Sequence, residues 1–220
     1  NSDGDEQWSK LLGTSYDDYG YALTTGLDGS IYIAGYTNGN LNGETNSGSY
    51  DAFISKYNSD GDEQWCKLLG SPYWDSTYAL TTGLDGSIYI AGETYGDLDK
   101  QPNNGERDAF ISKFNTDGTK VWTSLLGTSY REDVTALTTG LDGAIYIAGY
   151  TEGDLDGQPN SGGRDAFISK FNTDSTKVWT SLLGSPSSDS TYALTTGLDG
   201  SIYIAGETYG DLDGQLNSGE

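Results

Sequence analysis

The run Ala-Leu-Thr-Thr-Gly-Leu-Asp-Gly-x-Ile-Tyr-Ile-Ala-Gly stands four times in the chain, starting at Ala22, Ala79, Ala136 and Ala193, always 57 residues apart. A period of this length, carried by strand and turn chemistry with no helical spacing, restricts the fold to a repeat architecture: the blades of a β-propeller or the coils of a β-solenoid. Function then has to come from what decorates the repeats.

Each unit contains four short segments of strand character. The clearest pair is a hairpin from Tyr78 to Thr94 through Leu84-Asp85-Gly86, where Asp-Gly signals a tight turn. After a loop rich in Gly, Asn and Asp come Asp108-Ala-Phe-Ile-Ser-Lys-Phe114 and, past the turn at Asn115-Thr-Asp-Gly118, Lys120-Val-Trp-Thr-Ser-Leu-Leu126. Alternation sends Ile88 and Ile90 to one face and Tyr89 and Ala91 to the other, and likewise separates Phe110 from Ile111. Both faces are apolar, so each sheet needs a neighbour on both sides. Propeller blades stacked around an axis supply this, whereas a sheet with one wet face would show polar alternation. The Gly and Ala at the hairpin ends suit a crowded inner rim. The units run approximately over 1–57, 58–114, 115–171 and 172–220 as one all-β domain of four-stranded antiparallel blades.

The runs Leu-Asp-Gly-Ser-Ile-Tyr-Ile-Ala-Gly, Gly-Asp-Leu-Asp-Gly-Gln and Asp-Ala-Phe-Ile-Ser-Lys-Phe-Asn-Thr-Asp-Gly resemble the bacterial β-propeller repeat SBBP over essentially the whole chain. That resemblance implies four-stranded blades, as found in large secreted or surface proteins of bacteria, and implies no single shared activity. The order of segments is also similar to the NHL-type blade. This implies that the Ala-Leu-Thr-Thr strand is innermost and the Trp strand outermost.

The sequence opens on an outer-strand segment around Trp8, and the Asp-Ala-Phe-Ile strand occurs only three times, leaving the chain one strand short of four periods. One blade is therefore predicted to be incomplete. Three readings fit: a piece of a longer propeller, one part of a tandem array, or a strand position filled by another molecule through strand addition. The absence of methionine, position 1 included, points to a segment of a longer product. Units one and three share Gly-Thr-Ser-Tyr and Ile-Ala-Gly-Tyr-Thr, while two and four share Gly-Ser-Pro and Ile-Ala-Gly-Glu-Thr. Duplication of a two-blade segment explains that alternation; alternating contacts along a filament would also produce it.

Composition narrows the activity. With 33 acidic and 11 basic side chains the net charge is -22, which opposes nucleic acid and anionic membrane surfaces and leaves cations as natural counter-species. An acidic surface also serves solubility. No histidine is present, so the commonest general base and transition-metal ligand are missing, and catalysis is not expected. Cys66, the one cysteine, replaces the Ser9, Thr123 and Thr180 of the other repeats and has only Lys67 as a basic neighbour, so it reads as a substituted strand position.

Two constellations carry candidate chemistry. The loop after each second strand holds Asp97 and Asp99, Asp154 and Asp156, or Asp211 and Asp213. The following strand opens with Asp108 or Asp165, and Glu93 or Glu207 stands nearby. These hard oxygen ligands point to calcium, although their spacing matches neither EF-hand nor RTX loops. The competing reading is an Asx-rich turn whose side chains cap backbone N–H groups. The second constellation is aromatic: Tyr16, Tyr19, Tyr73 and Trp74 near one mouth suit a glycan, but the matching loop of unit four, Ser185-Pro-Ser-Ser-Asp189, has none. The recurring Trp8, Trp65, Trp122 and Trp179 read as blade packing. The sequence therefore predicts a non-catalytic extracellular scaffold, adhesin or filament subunit that meets copies of itself or neighbouring blades through open strand edges, with a carbohydrate-binding lectin as the alternative.

Overall fold

The computed structural model describes residues 2–219. Its strands are β1 Asp18–Thr25, β2 Ile31–Thr37, β3 Asp51–Tyr57, β4 Glu63–Leu69, β5 Asp75–Thr82, β6 Ile88–Thr94, β7 Asp108–Phe114, β8 Lys120–Leu126, β9 Glu132–Thr139, β10 Ile145–Thr151, β11 Asp165–Phe171, β12 Lys177–Leu183, β13 Asp189–Thr196 and β14 Ile202–Thr208. They form three four-stranded antiparallel sheets in simple chain order, β1–β4, β5–β8 and β9–β12, followed by the hairpin β13–β14.

The predicted hairpin is the start of each blade. At β5–β6 the turn closes with the Gly83 N–H on the Ser87 carbonyl at 2.8 Å and the Ser87 N–H on Asp85 Oδ1 at 3.0 Å, and Gly86 takes a φ of 81° that side chains resist. Each first strand carries a bulge, which leaves Tyr21, Tyr78, Thr135 and Tyr192 out of register with the second strand. The bulge accounts for the small residues at the hairpin ends. A Cβ on Gly92 would run into the Ser76 carbonyl of the partner strand, so the crowding arises within the blade.

Stacking follows from the two apolar faces. Ile88, Ile90, Phe110 and Phe114 of the second blade pack on Tyr32, Ala34, Ala52 and Ile54 of the first. Tyr89, Ala91 and Ile111 pack on Ile145, Ile147, Phe167 and Phe171 of the third. Each such Ile or Phe contributes about 2 kcal/mol by leaving water. Strand β1 packs on β5, β5 on β9 and β9 on β13, so the Ala-Leu-Thr-Thr strands line the axis and the Trp strands β4, β8 and β12 form the outer edge. This is a propeller arrangement and excludes a solenoid. No comparable contact returns from β13 to β1 among the described residues, so the blades form an arc.

The recurring tryptophans have a specific task. Trp65 Nε1 and Lys56 Nζ both donate to the Thr116 carbonyl in the next blade, each at 3.1 Å, and Trp122 Nε1 and Lys113 Nζ both donate to the Thr173 carbonyl, at 3.0 and 3.3 Å. Lys56 also pairs with Asp28 at 2.9 Å and lies 5.4 Å from the Tyr32 ring centre. Trp179 meets no such turn among the described residues and is exposed. Trp122→Phe, which keeps the ring and deletes the donor, should cost about 1 kcal/mol. Trp179→Phe should leave a urea unfolding curve unchanged.

The outer-strand segment around Trp8 forms no ladder: residues 5–14 belong to no strand, because no third strand lies beside them among the described residues. Its indole still donates to the Ser59 carbonyl at 3.0 Å, repeating the interblade bond.

Candidate functional site

The predicted calcium ligands fall into separate duties. Asp97, Asp154 and Asp211 each accept the backbone N–H six residues on, from Asn103, Asn160 and Asn217, at 2.8–3.0 Å. Asn40 does the same for Asn46 at 3.0 Å, so a charge is not required for this lock. Leu98 bridges Gln101 across a tight turn with Asp99 at a φ of 52°, and strand alternation therefore does not put Asp97 and Asp99 on one side. Asp99 instead pairs with Lys120 at 2.6 Å, Asp156 reaches Lys177 and Thr180, and Asp213 is exposed with a φ of 48°. Asp108 and Asp165 are fully buried and accept the N–H groups of Asn104 at 3.0 Å and Ser161 at 2.8 Å. Glu93 and Glu207 take hydroxyls from Tyr78 and Tyr192. No three acidic or thiol side chains are gathered about one point among the described residues. Cys66 is buried, and burial pushes its thiol up to about 11, which makes it a poor nucleophile.

The aromatic constellation does converge. Trp74 lies 4.3 Å from the Tyr50 ring centre and 5.6 Å from that of Tyr36, while Tyr36 lies 4.9 Å from Tyr19 and 5.4 Å from Tyr21. Trp74 remains 37% exposed, and Tyr16 and Tyr73 are exposed on loops outside this stack. The same mouth holds a charged group that sequence reasoning missed. Arg107 pairs with Glu93 at 3.0 Å and with Asp133, and donates to the hydroxyls of Tyr95 and Tyr150, each at 3.0 Å. Burial, reinforced by neighbouring Glu93, pushes the Asp133 carboxyl up to about 8. Burial disfavours the Arg107 cation, but Glu93 and Asp133 outweigh it and hold the guanidinium above its ordinary value. Glu93, Arg107, Asp133 and Tyr150 border a cavity of about 430 Å³ at the junction of the second and third blades, which Tyr21 of the first blade also lines.

A signal for this site was present in the repeat itself. Residues 22–35 recur in all four copies and residues 51–56 in three, with one substitution, Ser30 to Ala144. The mouth positions differ instead: Tyr19, Ser76, Asp133 and Ser190; Tyr36, Glu93, Tyr150 and Glu207; Asp17, Trp74, Arg131 and Ser188. Only the fold shows that these scattered differences are neighbours.

Two family models match parts of the chain: a beta-propeller repeat, SBBP, over residues 7–42, and a beta-propeller domain of unknown function over residues 84–120. The regulatory protein FlaEY of Caulobacter vibrioides is 30% identical over 169 residues, covering 68% of this chain and 18% of its own length. An uncharacterized WD repeat-containing protein of Acanthamoeba polyphaga mimivirus is 23% identical over 199 residues, covering 73% of this chain and 14% of its own length. The chain thus spans less than a fifth of these relatives. Among solved structures, a protein of unknown function from Bacteroides caccae aligns with a TM-score of 0.49 at 10% identity, over 90% of this chain and 56% of that one. A luciferin-regenerating enzyme aligns with a TM-score of 0.44 at 12% identity, over 86% and 53%. Stacked four-stranded sheets and both family models agree that the chain is built of β-propeller repeats, with residues 7–42 matching the SBBP repeat.

Proposed function

We propose that this chain is a non-catalytic interaction module of an extracellular bacterial scaffold or adhesin, and that it engages its partner through the mouth where the blades diverge. The observation that carries this reading is the contrast between near-invariant stacking segments and variable mouth residues. Packing constrains the stacking segments and leaves the mouth free to carry a different set of groups in each blade, the unique pattern that a binding surface needs. The lack of histidine and the inert Cys66 fit a role without catalysis. A second reading, a lectin, is favoured by the exposed Trp74 beside Tyr50 and Tyr36, since a flat ring in water is a platform for an apolar sugar face. Filament assembly is the third use of the same body, with copies meeting through the uncovered faces of the first blade and the β13–β14 hairpin.

Sedimentation velocity and a glycan array on the 220-residue chain separate these uses. Concentration-dependent association abolished by Tyr203→Glu supports filament assembly, and saturable binding to a defined sugar lost in Trp74→Ala supports the lectin. Sugar binding indifferent to Trp74 and every other mouth residue would remove the mouth reading. Calcium, proposed on ligand type alone, raises the thermal midpoint at millimolar concentration if it binds the native form. A midpoint unchanged by chelator removes it.

A further inference from the structure

The cavity between the second and third blades owes its space to one departure from the repeat. Thr135 occupies the bulge position that carries Tyr21, Tyr78 and Tyr192 in the other blades, and it lines the cavity together with Tyr21, Tyr78 and Tyr150. On the floor sit Arg107 and Asp133. Asp133 is only 7% exposed, and its Oδ1 has no hydrogen-bond partner; neither has the buried Nε of Arg107. Buried polar atoms left unpaired cost free energy, and since both residues also line the cavity, a guest that draws these atoms into contact completes them.

The two unpaired atoms ask for different things. Arg107 Nε donates only, whereas the Asp133 carboxyl, raised to about 8 by burial and by Glu93, both donates and accepts near neutral pH. A ligand ammonium offers nothing to the guanidinium, and a ligand carboxylate would sit against Glu93 in a chain of net charge -22. A hydroxyl donates and accepts. Formal charge favours a neutral guest as well, because Arg107 is already matched by Glu93 while burial keeps the Asp133 carboxyl largely protonated near neutral pH. A carboxamide also has both functions, but one planar amide leaves the three tyrosine rings and most of the 430 Å³ unused. A sugar ring presents several hydroxyls around an apolar C–H face, and the volume lies within the range of small-molecule pockets.

We propose that this cavity binds a neutral, polyhydroxylated sugar, with a hydroxyl seated on Arg107 Nε and Asp133 Oδ1 and the ring lodged against Tyr21 and Tyr78. The proposal rests on the mouth being the binding surface and names the class of its ligand. Thr135→Tyr is the decisive variant, because it fills the cavity with the residue the other three blades already carry and strands no charge. The 220-residue chain is titrated with neutral mono- and disaccharides and followed by amide NMR shifts, with methylammonium and acetate as charged probes. The expected result is saturable sugar binding that moves the amides of Asp133 and Thr135 and weakens at least tenfold in Thr135→Tyr. Tyr21→Ala, a change at the exposed rim, provides the same reading should Thr135→Tyr not fold, and should also weaken binding. Sugar binding that survives both variants places the sugar elsewhere on the mouth, so the cavity assignment falls while the binding module stands. Shifts with methylammonium or acetate alone overturn the ligand class. No shift with any probe means that only water occupies the cavity, and the sugar proposal falls.

Discussion

Acidifying this protein from pH 8 to pH 5 should raise its thermal midpoint by about 5–10 °C. The cause is the set of carboxyls at the blade junctions. Asp51, Asp75, Asp108, Glu132 and Asp165 are all fully buried, and for each of them burial lifts the carboxyl above its ordinary value despite N–H donors pulling the other way. Asp108 reaches about 6 and Asp133 about 8. A carboxyl raised on folding favours the native state most when protonated, so its contribution is complete below about pH 4 and is lost as the pH climbs through the folded value. Asp108 alone accounts for on the order of 2–3 kcal/mol between those limits. Relief of the repulsion within a net charge of -22 acts in the same direction. Six other aspartates shift the opposite way, Asp117, Asp174 and Asp199 because the backbone N–H groups of Thr119, Thr176 and Ser201 hold them down, and three more because of lysines. Lys56 holds Asp28 down at about 2; Lys170 lowers Asp142, and Lys113 lowers Asp85 against its own burial. All six favour folding while ionised and lose that contribution only below about pH 4. Calorimetry across pH 3 to 8 at fixed salt should therefore show a maximum in mild acid. A midpoint that is flat or falls from pH 8 to pH 5 would mean that the junction carboxyls are ionised in the native protein and neutralised by bound cations.

The second large effect is a contrast between identical residues. Tyr89 and Tyr203 occupy the same position of the same hairpin sequence, yet Tyr89 is 0% exposed and Tyr203 is 55% exposed. Tyr89 is covered by the third blade and lies 5.4 Å beneath the Lys113 ammonium. Tyr89→Ala should cost about 3 kcal/mol or more, the scale for emptying an aromatic site in a core. Tyr203→Ala should stay within about 0.5 kcal/mol, as for a surface change. Urea unfolding of both variants measures the difference directly. Equal losses would mean that Tyr203 is covered in solution, as it would be if copies of the chain stack through that face.

The fold was largely legible because the blade is written in local terms. Asp28, Asp85, Asp142 and Asp199 with their glycines mark the hairpins, and the two-faced apolar pattern at Ile88 to Ala91 and Phe110 to Ile111 implies neighbours on both sides. The bulge was not legible: nothing in Ser76-Thr77-Tyr78 differs from an ordinary strand, and only the glycine across the ladder betrays it. The candidate site was readable in part. Trp74 stood out by type, and the structure seats it among Tyr36 and Tyr50. Arg107 and Asp133 did not stand out, because they lie 26 residues apart on two blades and each resembles an isolated surface charge. The acids of the Asp-Leu-Asp loops looked alike in sequence and separate in space, since a left-handed turn at Asp99, Asp156 and Asp213 aims them differently from the residues before.

The bond between neighbouring blades is made by an indole and an ammonium gripping a main-chain oxygen, Thr116 or Thr173, and never a side chain. A joint of that kind cannot tell one copy from another. Inserting, deleting or reordering units by unequal exchange between near-identical stretches leaves every surviving outer-edge joint as it was, whereas a mouth pair such as Arg107 with Asp133 belongs to one junction alone. Lineages of such repeats are free to change their copy number while their rims drift apart in chemistry.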